Sequence, residues 1–259
     1  MPSRAADAQI DDHVRRFEAQ LARAPATRVA AVDLARTAAL GGMIVYHAAY
    51  DLAMLGHIPF RDLGGGWRTL AVVVAGSFLF LAGVSLHLAH PGRIRWRAFG
   101  RRFRSIGTAA LLVSLVTWIA LPTGFVFYGI LHSIAVASLA AALAYRLPWP
   151  ALLALAAGIW ALPRAMRIEA FDAPWLWWTG LSPVVPRTVD FEPFFPWAAP
   201  LLAGLALARA VRLERLAAPV PPMLSRLGWP GRHSLAIYLA HQPVLLAGLY
   251  ALGWLGALG

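Results

Sequence analysis

Four ionisable side chains lie in an otherwise apolar stretch near the start of the chain, VDLARTAALGGMIVYHAAYDL at residues 32–52. They are Asp33, Arg36, His47 and Asp51. On a helix that turns by about 100° per residue, all four fall within about 60° of one another. A carboxylate beside an imidazole fixes its tautomer and prepares it as a base or nucleophile. The four-residue spacing of His47 and Asp51 predicts such a pair, with a structural hydrogen bond between helices as the alternative.

A second polar group occurs in the last apolar stretch, GRHSLAIYLAHQPVLL at residues 231–246. Tyr238 and His241 share a helix face there, and Gln242 follows one step round the helix. His132 lies in FYGILHSIA, at the start of another apolar run. Side chains of these types can donate hydrogen bonds to a reacting carbonyl oxygen. For His132, a hydrogen bond to a neighbouring helix is the alternative.

The composition predicts that a membrane-embedded scaffold positions these side chains. Of the 259 residues, 59% are hydrophobic and 14% are charged, and the mean hydropathy is +0.63, as in integral membrane proteins. A helical span needs roughly 17–25 mostly apolar residues, and no apolar run alternates like a barrel strand. The sequence therefore predicts an all-α polytopic membrane bundle of about seven transmembrane helices. The predicted spans are residues 32–54, 70–89, 105–121, 126–145, 149–163, 194–209 and 234–257.

Arginine sets the predicted orientation of the bundle. The formal net charge is +11 and the chain has no Lys, a bias that in a membrane protein reflects topology rather than nucleic-acid binding. Arg residues crowd residues 93–104, residues 209–232 and the segment before the first span. The positive-inside rule places these segments in the cytoplasm, together with an N-terminal tail at residues 1–27. We expect residues 28–259 to form a single transmembrane domain.

Cysteine is absent, which excludes thiolate nucleophiles, thiolate metal ligands and covalent haem attachment. Any nucleophile or base must therefore be another residue type, and we predict no metal site. The outer loop ends in VDFEPFFPW at residues 189–197. This motif places Asp190 at the entrance to the next span, where it would face a substrate, or where its aromatic neighbours would anchor the loop at the membrane surface.

Several motifs, taken in order, resemble the bacterial membrane family related to heparan-α-glucosaminide N-acetyltransferase, within a wider transmembrane acyltransferase superfamily. The motifs are VDLAR…MIVYHAAYDL, FLFLAGVSL, RRFRSI, FYGILHSIAVASL, VDFEPFFPW and GRHSLAIYLAHQPVLL. The resemblance covers about residues 28–250 and implies transfer of an acetyl group from cytoplasmic acetyl-CoA to a sugar acceptor at the bacterial inner membrane. It also implies that His47 is the catalytic histidine. One departure is Thr37, which stands where the family usually has Gly, so we expect altered packing around Arg36.

The residues and the resemblance together predict a complete site. His47, oriented by Asp51, would act as a general base or carry the acetyl group itself. Guanidinium groups would bind the phosphates of acetyl-CoA, because their forked donors match anionic oxygens. The predicted residues are His47, Asp51, His132 and His241 for catalysis; Arg36, Arg101, Arg102 and Arg104 for acetyl-CoA; and Asp190, Tyr238 and Gln242 for the acceptor.

Two other classes of protein would use the same buried polar groups. A proton-coupled transporter or flippase would relay protons through them, although neither an inverted repeat nor paired broken helices is evident. A haem-bearing electron carrier would use His47, His132 and His241 as axial ligands. We favour the acetyltransferase and expect no haem and no nucleic-acid partner. The expected partners are the lipid bilayer, acyl-CoA and a sugar or glycan acceptor, with a homodimer as a further possibility.

Overall fold

A computed structural model describes residues 27–255, and within this range the chain forms seven long helices and two short ones. Each long helix overlaps one of the seven predicted spans, so the all-α prediction is confirmed. Residues 1–26 of the predicted tail lie outside the described range. Residues 256–257 of the last predicted span lie outside it too. The helices are α1 (Ala30–Met54), α2 (Gly66–Ala89), α3 (Trp96–Ala120), α4 (Ile130–Leu143), α5 (Trp149–Ala165), α6 (Phe194–Ala210), α7 (Pro222–Leu227), α8 (Trp229–Arg232) and α9 (Ser234–Trp254).

Three helices, α2, α3 and α9, are long and apolar enough to cross a membrane. The protein is therefore an integral membrane protein. The helices α4, α5 and α6 are apolar but shorter, and α1 has 25 residues but carries the polar stripe that includes His47 and Asp51. The number of seven spans and the cytoplasmic amino terminus stay predictions.

The main core forms around α6, which packs against α2, α4 and α5. Glycines allow the closest approach in this core. A Cβ atom on Gly83 of α2 would lie 1.9 Å from the carbonyl oxygen of Leu201, and one on Gly204 of α6 would lie 2.1 Å from that of Phe80. Small residues let helices approach closely in lipid, where van der Waals packing drives their association. The four helices therefore form a tightly packed scaffold.

The helices α3 and α9 lie at the periphery of the bundle. Among the described residues of α9, His241 alone is buried, and α3 exposes Leu111, Leu115 and Ile119. An apolar helix surface exposed in this way is typical of a membrane span that faces lipid. Residues Leu235 and Leu239 of α9 pack against a cluster built by α3 and α4. The helix α1 contacts α2, α8 and α9, and it thus links the core to the periphery.

Two backbone pairings tie the connecting segments together. The strand β1 (Thr27–Arg28) pairs antiparallel with β2 (Ala218–Pro219), so the chain entering α1 is fixed to the segment before α7. In the loop before α6, the N–H of Glu192 donates to the carbonyl of Tyr128 at 3.0 Å. The N–H of Val189 donates to the carbonyl of Gly124 at 2.9 Å. These bonds hold the loop before α6 against the loop before α4.

Candidate active site

A cavity of about 440 Å³, here called the histidine cavity, lies between α1, α3 and α9. Residues of the loops before α4 and α6 complete its wall. Its volume is in the range of small-molecule sites. Most of its lining is apolar, but six of the predicted site residues meet in it: His47, Asp51, Asp190, Tyr238, His241 and Gln242.

Each of the two imidazoles of this cavity has one ring nitrogen without a hydrogen-bond partner among the described residues. His47 Nδ1 lies 2.9 Å from the carbonyl oxygen of Met43, and His241 Nδ1 is hydrogen-bonded to the carbonyl of Tyr238. A carbonyl can only accept, so both Nδ1 atoms carry the proton and both Nε2 atoms hold a lone pair. The rings are 4.8 Å apart and nearly perpendicular. Each Nε2 can therefore accept a proton, the property required of a general base.

Asp51 is completely buried and connects α1 to α9 rather than binding His47. Its Oδ1 accepts a hydrogen bond from Gln242 Nε2 at 2.6 Å, and its Oδ2 has no partner among the described residues. The predicted hydrogen bond between Asp51 and His47 is therefore wrong. The reason is that the proton-bearing Nδ1 of His47 already donates to the Met43 carbonyl, one turn back on α1, while the lone pair on Nε2 cannot donate to a carboxylate. The two side chains still line the same cavity.

Asp190 reaches the cavity from the loop before α6. Its Oδ2 accepts a hydrogen bond from the N–H of Ile130 at 3.1 Å, at the amino terminus of α4, where a carboxylate is favoured. A Cβ at position 129 would lie 2.1 Å from Asp190 Oδ2, so any residue larger than Gly there would displace the Asp190 carboxylate. Burial raises the pKa of Asp190. Burial and the neighbouring Asp190 also raise the pKa of Glu192, to about 9, so Glu192 keeps its proton at neutral pH.

His132 does not line the histidine cavity. Its Nδ1 accepts from the N–H of Gly129 at 3.3 Å, and its Nε2 lies 3.4 Å from Ser114 Oγ. Its ring lies 5.5 Å from the ring of Tyr128. These contacts place His132 at the start of α4, where it supports the loop that carries Tyr128 and Gly129.

A second cavity, of about 300 Å³, lies beside the first and is here called the arginine cavity. It is lined by the guanidinium-bearing residues Arg36, Arg102 and Arg232, by Ser105 and Ser234, and by apolar side chains of α2, α3, α4 and α9. Arg36 and Arg102 were predicted from the sequence. Arg101 and Arg104 are exposed residues of α3 outside this lining, because a helix turns consecutive residues to different sides.

Sequence reasoning missed Arg232, which lies in α8, just before α9. Its Nη1 lies 3.8 Å from Asp33 Oδ2, and α8 packs closely on α1, since a Cβ on Gly231 would lie 2.0 Å from the Asp33 carbonyl. Thr37, the departure from the family pattern, accepts a hydrogen bond from the N–H of Gly231 and donates to the carbonyl of Leu227, both at 3.0 Å. Thr37 thereby fixes α8 and positions Arg232. The only available sequence signal was the GRH motif that opens the last apolar stretch.

Tyr238 lines both cavities. Its ring lies 5.4 Å from the ring of His241, and its carbonyl accepts the His241 Nδ1 hydrogen bond. The two cavities therefore meet at one side chain, with three arginines on one side and two histidines on the other.

Within residues 27–255, no group of three or more His, Asp or Glu side chains could hold a metal ion. The rings of His47 and His241, at 4.8 Å and edge to face, leave no room between them for a porphyrin with both as axial ligands. His132 lies outside the cavity that these two histidines share. The geometry therefore does not fit the electron-carrier alternative.

A family model described as heparan-alpha-glucosaminide N-acetyltransferase, catalytic, matches residues 28–243. The matched segment contains every polar side chain of both cavities, from Arg36 to Gln242. No curated protein and no solved structure matches the chain.

Proposed function

Since the chain belongs to the heparan-alpha-glucosaminide N-acetyltransferase catalytic family, we propose that this membrane acetyltransferase takes its acetyl group from acetyl-CoA and transfers it to a sugar acceptor. The arginine cavity would hold the donor and the histidine cavity the acceptor. The observation that supports this division is the position of Tyr238, which lines both cavities. A thioester and an acceptor hydroxyl or amine would meet beside it.

Donor binding in this proposal rests on three guanidinium groups around one cavity. The phosphates of CoA are anionic, and the forked donors of Arg36, Arg102 and Arg232 can each bind two phosphate oxygens. Arg101 and Arg104, exposed on the same helix as Arg102, would contribute by attracting the anionic donor over a longer range. The pantetheine arm would then extend along the apolar lining towards Tyr238.

Chemistry in this proposal takes place at His47. Its Nε2 removes the proton from the acceptor hydroxyl or amine as that group attacks the thioester carbonyl. A new carbon–oxygen or carbon–nitrogen bond forms, the carbon–sulfur bond breaks, and the CoA thiolate takes the proton. The hydroxyl of Tyr238 would donate to the thioester oxygen as negative charge develops there. Asp190 and the free amide oxygen of Gln242 would accept hydrogen bonds from the sugar.

Orientation follows from the arginine-rich segments. The arginine cavity draws Arg102 and Arg232 from the two segments that the positive-inside rule assigns to the cytoplasm. Acetyl-CoA would therefore enter from the cytoplasm, and Asp190, on the loop before α6, would face the opposite side. The resemblance to a bacterial membrane family supports a location in the bacterial inner membrane, and a homodimer stays a prediction.

The decisive experiment measures release of CoA and labelled product in proteoliposomes supplied with radiolabelled acetyl-CoA and a panel of glycans and lipid-linked sugars. We expect His47→Ala to lower the transfer rate by about 10²–10⁴-fold, the usual contribution of a general base. His57→Ala, at an exposed position after α1, is the matched control and should keep wild-type activity. Equal transfer by His47→Ala and wild type would contradict the assignment, and solute flux without CoA release would favour a transporter.

A further inference from the structure

The wall of the histidine cavity has two chemically different parts. Most of the polar groups come from α1, from one turn of α9 and from Asp190. Thr117 of α3 is the other polar residue, and its hydroxyl is already hydrogen-bonded to the carbonyl of Val113 and to the N–H of Val126. The remaining part is apolar and is here called the lateral cleft. It consists of Leu112, Val116, Ala120 and Leu121, which belong to α3 or directly follow it, and of Leu239, Pro243 and Leu246 of α9.

The lateral cleft opens on the outside of the bundle. Although they line the cavity, Leu112 is 49% exposed and Val116 is 53% exposed. The helix α9 packs against the cluster of α3 and α4 through Leu235, Tyr238 and Leu239. Beyond these residues the cavity occupies the space between α3 and α9. The outside of a membrane bundle contacts hydrocarbon, so this opening leads towards lipid rather than water.

We propose that the acceptor is a lipid-anchored sugar whose alkyl or isoprenoid chain lies in the lateral cleft while its sugar head group reaches His47. This inference rests on the proposed function and specifies its acceptor class. A water-soluble glycan would place its hydroxyl groups against Val116, Leu121 and Leu246, which are apolar. The one polar side chain among the lining residues of α3 is Thr117, whose hydroxyl already donates to the carbonyl of Val113. An amphiphile instead matches both parts of the wall. Confinement to the bilayer also raises the concentration of such an acceptor at the opening.

Two other occupants predict different behaviour. A long acyl chain of the donor would lie in the same cleft, but it would arrive through the arginine cavity and would compete with an acyl-CoA. A second copy of the chain would cover the cleft and exclude lipids. The proposal commits to the lipid-anchored acceptor, and the experiment below separates all three.

The test is photolabelling of the full chain in proteoliposomes by dodecyl β-glucoside that carries a diazirine on its alkyl chain. We expect labels at Leu112, Val116, Leu121 or Leu246, reduced by unlabelled dodecyl glucoside but not by methyl glucoside or palmitoyl-CoA. Val116→Trp should reduce this labelling about tenfold, because one overpacked side chain weakens a complex on that scale. Leu115→Trp is the matched control, since Leu115 is 51% exposed on the same helix but does not line the cavity.

Three results would overturn the proposal. Labelling spread evenly over Leu115 and Ile119, unchanged in Val116→Trp, would mean ordinary lipid contact. Competition by palmitoyl-CoA alone would assign the cleft to the donor. Complete disulfide-linked dimerisation of Val116→Cys in membranes would mean that a second copy covers the cleft, and the absence of natural Cys makes this variant unambiguous.

Failure of this inference is distinguishable from failure of the proposed function. Labelling does not require turnover, so it reports acceptor binding even when no acetyl-CoA is supplied. If the acceptor class alone is wrong, acetyl transfer still depends on His47 but proceeds as well to methyl glycosides as to dodecyl glycosides. If the proposed function is wrong, acetyl-CoA is not consumed with either acceptor, whatever the labelling pattern.

Discussion

The arginine cavity and the histidine cavity share α1, α3 and α9 as walls, yet their ionisable groups differ in kind. Three guanidinium groups line the first, whereas two imidazoles and two carboxylates line the second. Guanidinium groups stay charged throughout the physiological range, while imidazoles exchange protons within it. The contrast supports the proposed division, in which one cavity binds an anionic donor and the other takes up a proton. In that division the two cavities would meet at Tyr238, which lines both.

The two cavities are also positioned by different means. Thr37 and the close approach of Gly231 to Asp33 fix the arginine cavity through side-chain and packing contacts. The histidine cavity depends on backbone pairing between the loops before α4 and α6, which places Asp190 at the start of α4. Changes at Thr37 or Gly231 should therefore affect binding of the donor. Changes in the paired loops should affect binding of the acceptor and the rate of the chemical step.

Apart from the loss of His47 itself, the largest effect on kcat is expected where the cavities meet. Tyr238→Phe removes the hydroxyl proposed to stabilise the developing oxyanion, so kcat for acetyl transfer should fall by about 10²-fold, the usual cost of losing one such donor. The KM for acetyl-CoA should change little, because the ring remains in place. Steady-state kinetics in proteoliposomes measures both values.

Tyr250→Phe is the control for this variant, because Tyr250 is exposed on the same helix and lies outside both cavities. Its kinetics should equal those of wild type. A Tyr238→Phe enzyme with unchanged kcat would mean that the cavities do not meet at a reacting carbonyl.

A smaller effect is expected in the arginine cavity. Arg232→Ala should raise the KM for acetyl-CoA by about 10- to 100-fold, since a charge-assisted hydrogen bond contributes roughly 1.5–3 kcal/mol. The kcat should stay near wild type, because the reacting atoms lie beyond Tyr238. Arg232→Lys should give an intermediate KM, as it keeps the charge but loses the fork.

Arg226→Ala serves as the comparison for Arg232→Ala. Arg226 carries the same charge in the neighbouring α7 but is exposed and does not line the cavity. An equal rise in KM for both variants would point to general electrostatic attraction rather than to a specific phosphate site.

The smallest effect concerns pH and stability near the histidine cavity. Folded protein keeps the proton on Glu192 up to about pH 9, whereas the unfolded chain releases it near the ordinary value of 4.5. The folded state thus binds more protons within this window, so the stability of wild type falls as pH rises through it. Glu192→Gln removes this dependence. The Tm of Glu192→Gln minus the Tm of wild type should therefore become larger from pH 5 to pH 9, as measured in thermal melts of detergent-solubilised protein.

Glu169→Gln, at an exposed position of the loop between α5 and α6, should leave the pH dependence of the Tm unchanged. Parallel melting curves for Glu192→Gln and wild type across the whole range would show that Glu192 is ionised in the folded protein. The protonated state ascribed to Glu192 at neutral pH would then be wrong.

The helices themselves were predictable, because apolar length and the spacing of polar residues are local properties of the sequence. The sixth predicted span, residues 194–209, differs from Phe194–Ala210 by one residue. The third predicted span, residues 105–121, begins nine residues after α3 does, since α3 starts at Trp96. The prediction left out the arginine-rich run before residue 105, which is helical although its charge disfavours a position in lipid. The first turn of the fourth, from residue 126, pairs with the loop before α6 instead of joining the helix.

The site was predictable only in part. The shared face of His47 and Asp51 follows from helical periodicity, and both side chains line one cavity. Their partners do not follow from periodicity. Gln242 reaches Asp51 from a helix 191 positions away, and Arg232 enters the arginine cavity through a short helix that packs on α1. Contacts of this kind depend on how helices cross, which local sequence does not specify.

The central claim is that the arginine and histidine cavities are the donor and acceptor sides of one reaction that meet at Tyr238. It is tested most directly by an experimental structure of the protein bound to a non-hydrolysable ketone analogue of acetyl-CoA. We predict phosphates within hydrogen-bonding distance of Arg36, Arg102 and Arg232, and the ketone oxygen beside the Tyr238 hydroxyl and facing the histidine cavity. Analogue bound elsewhere, or bound with its ketone remote from Tyr238 and His47, would contradict the account.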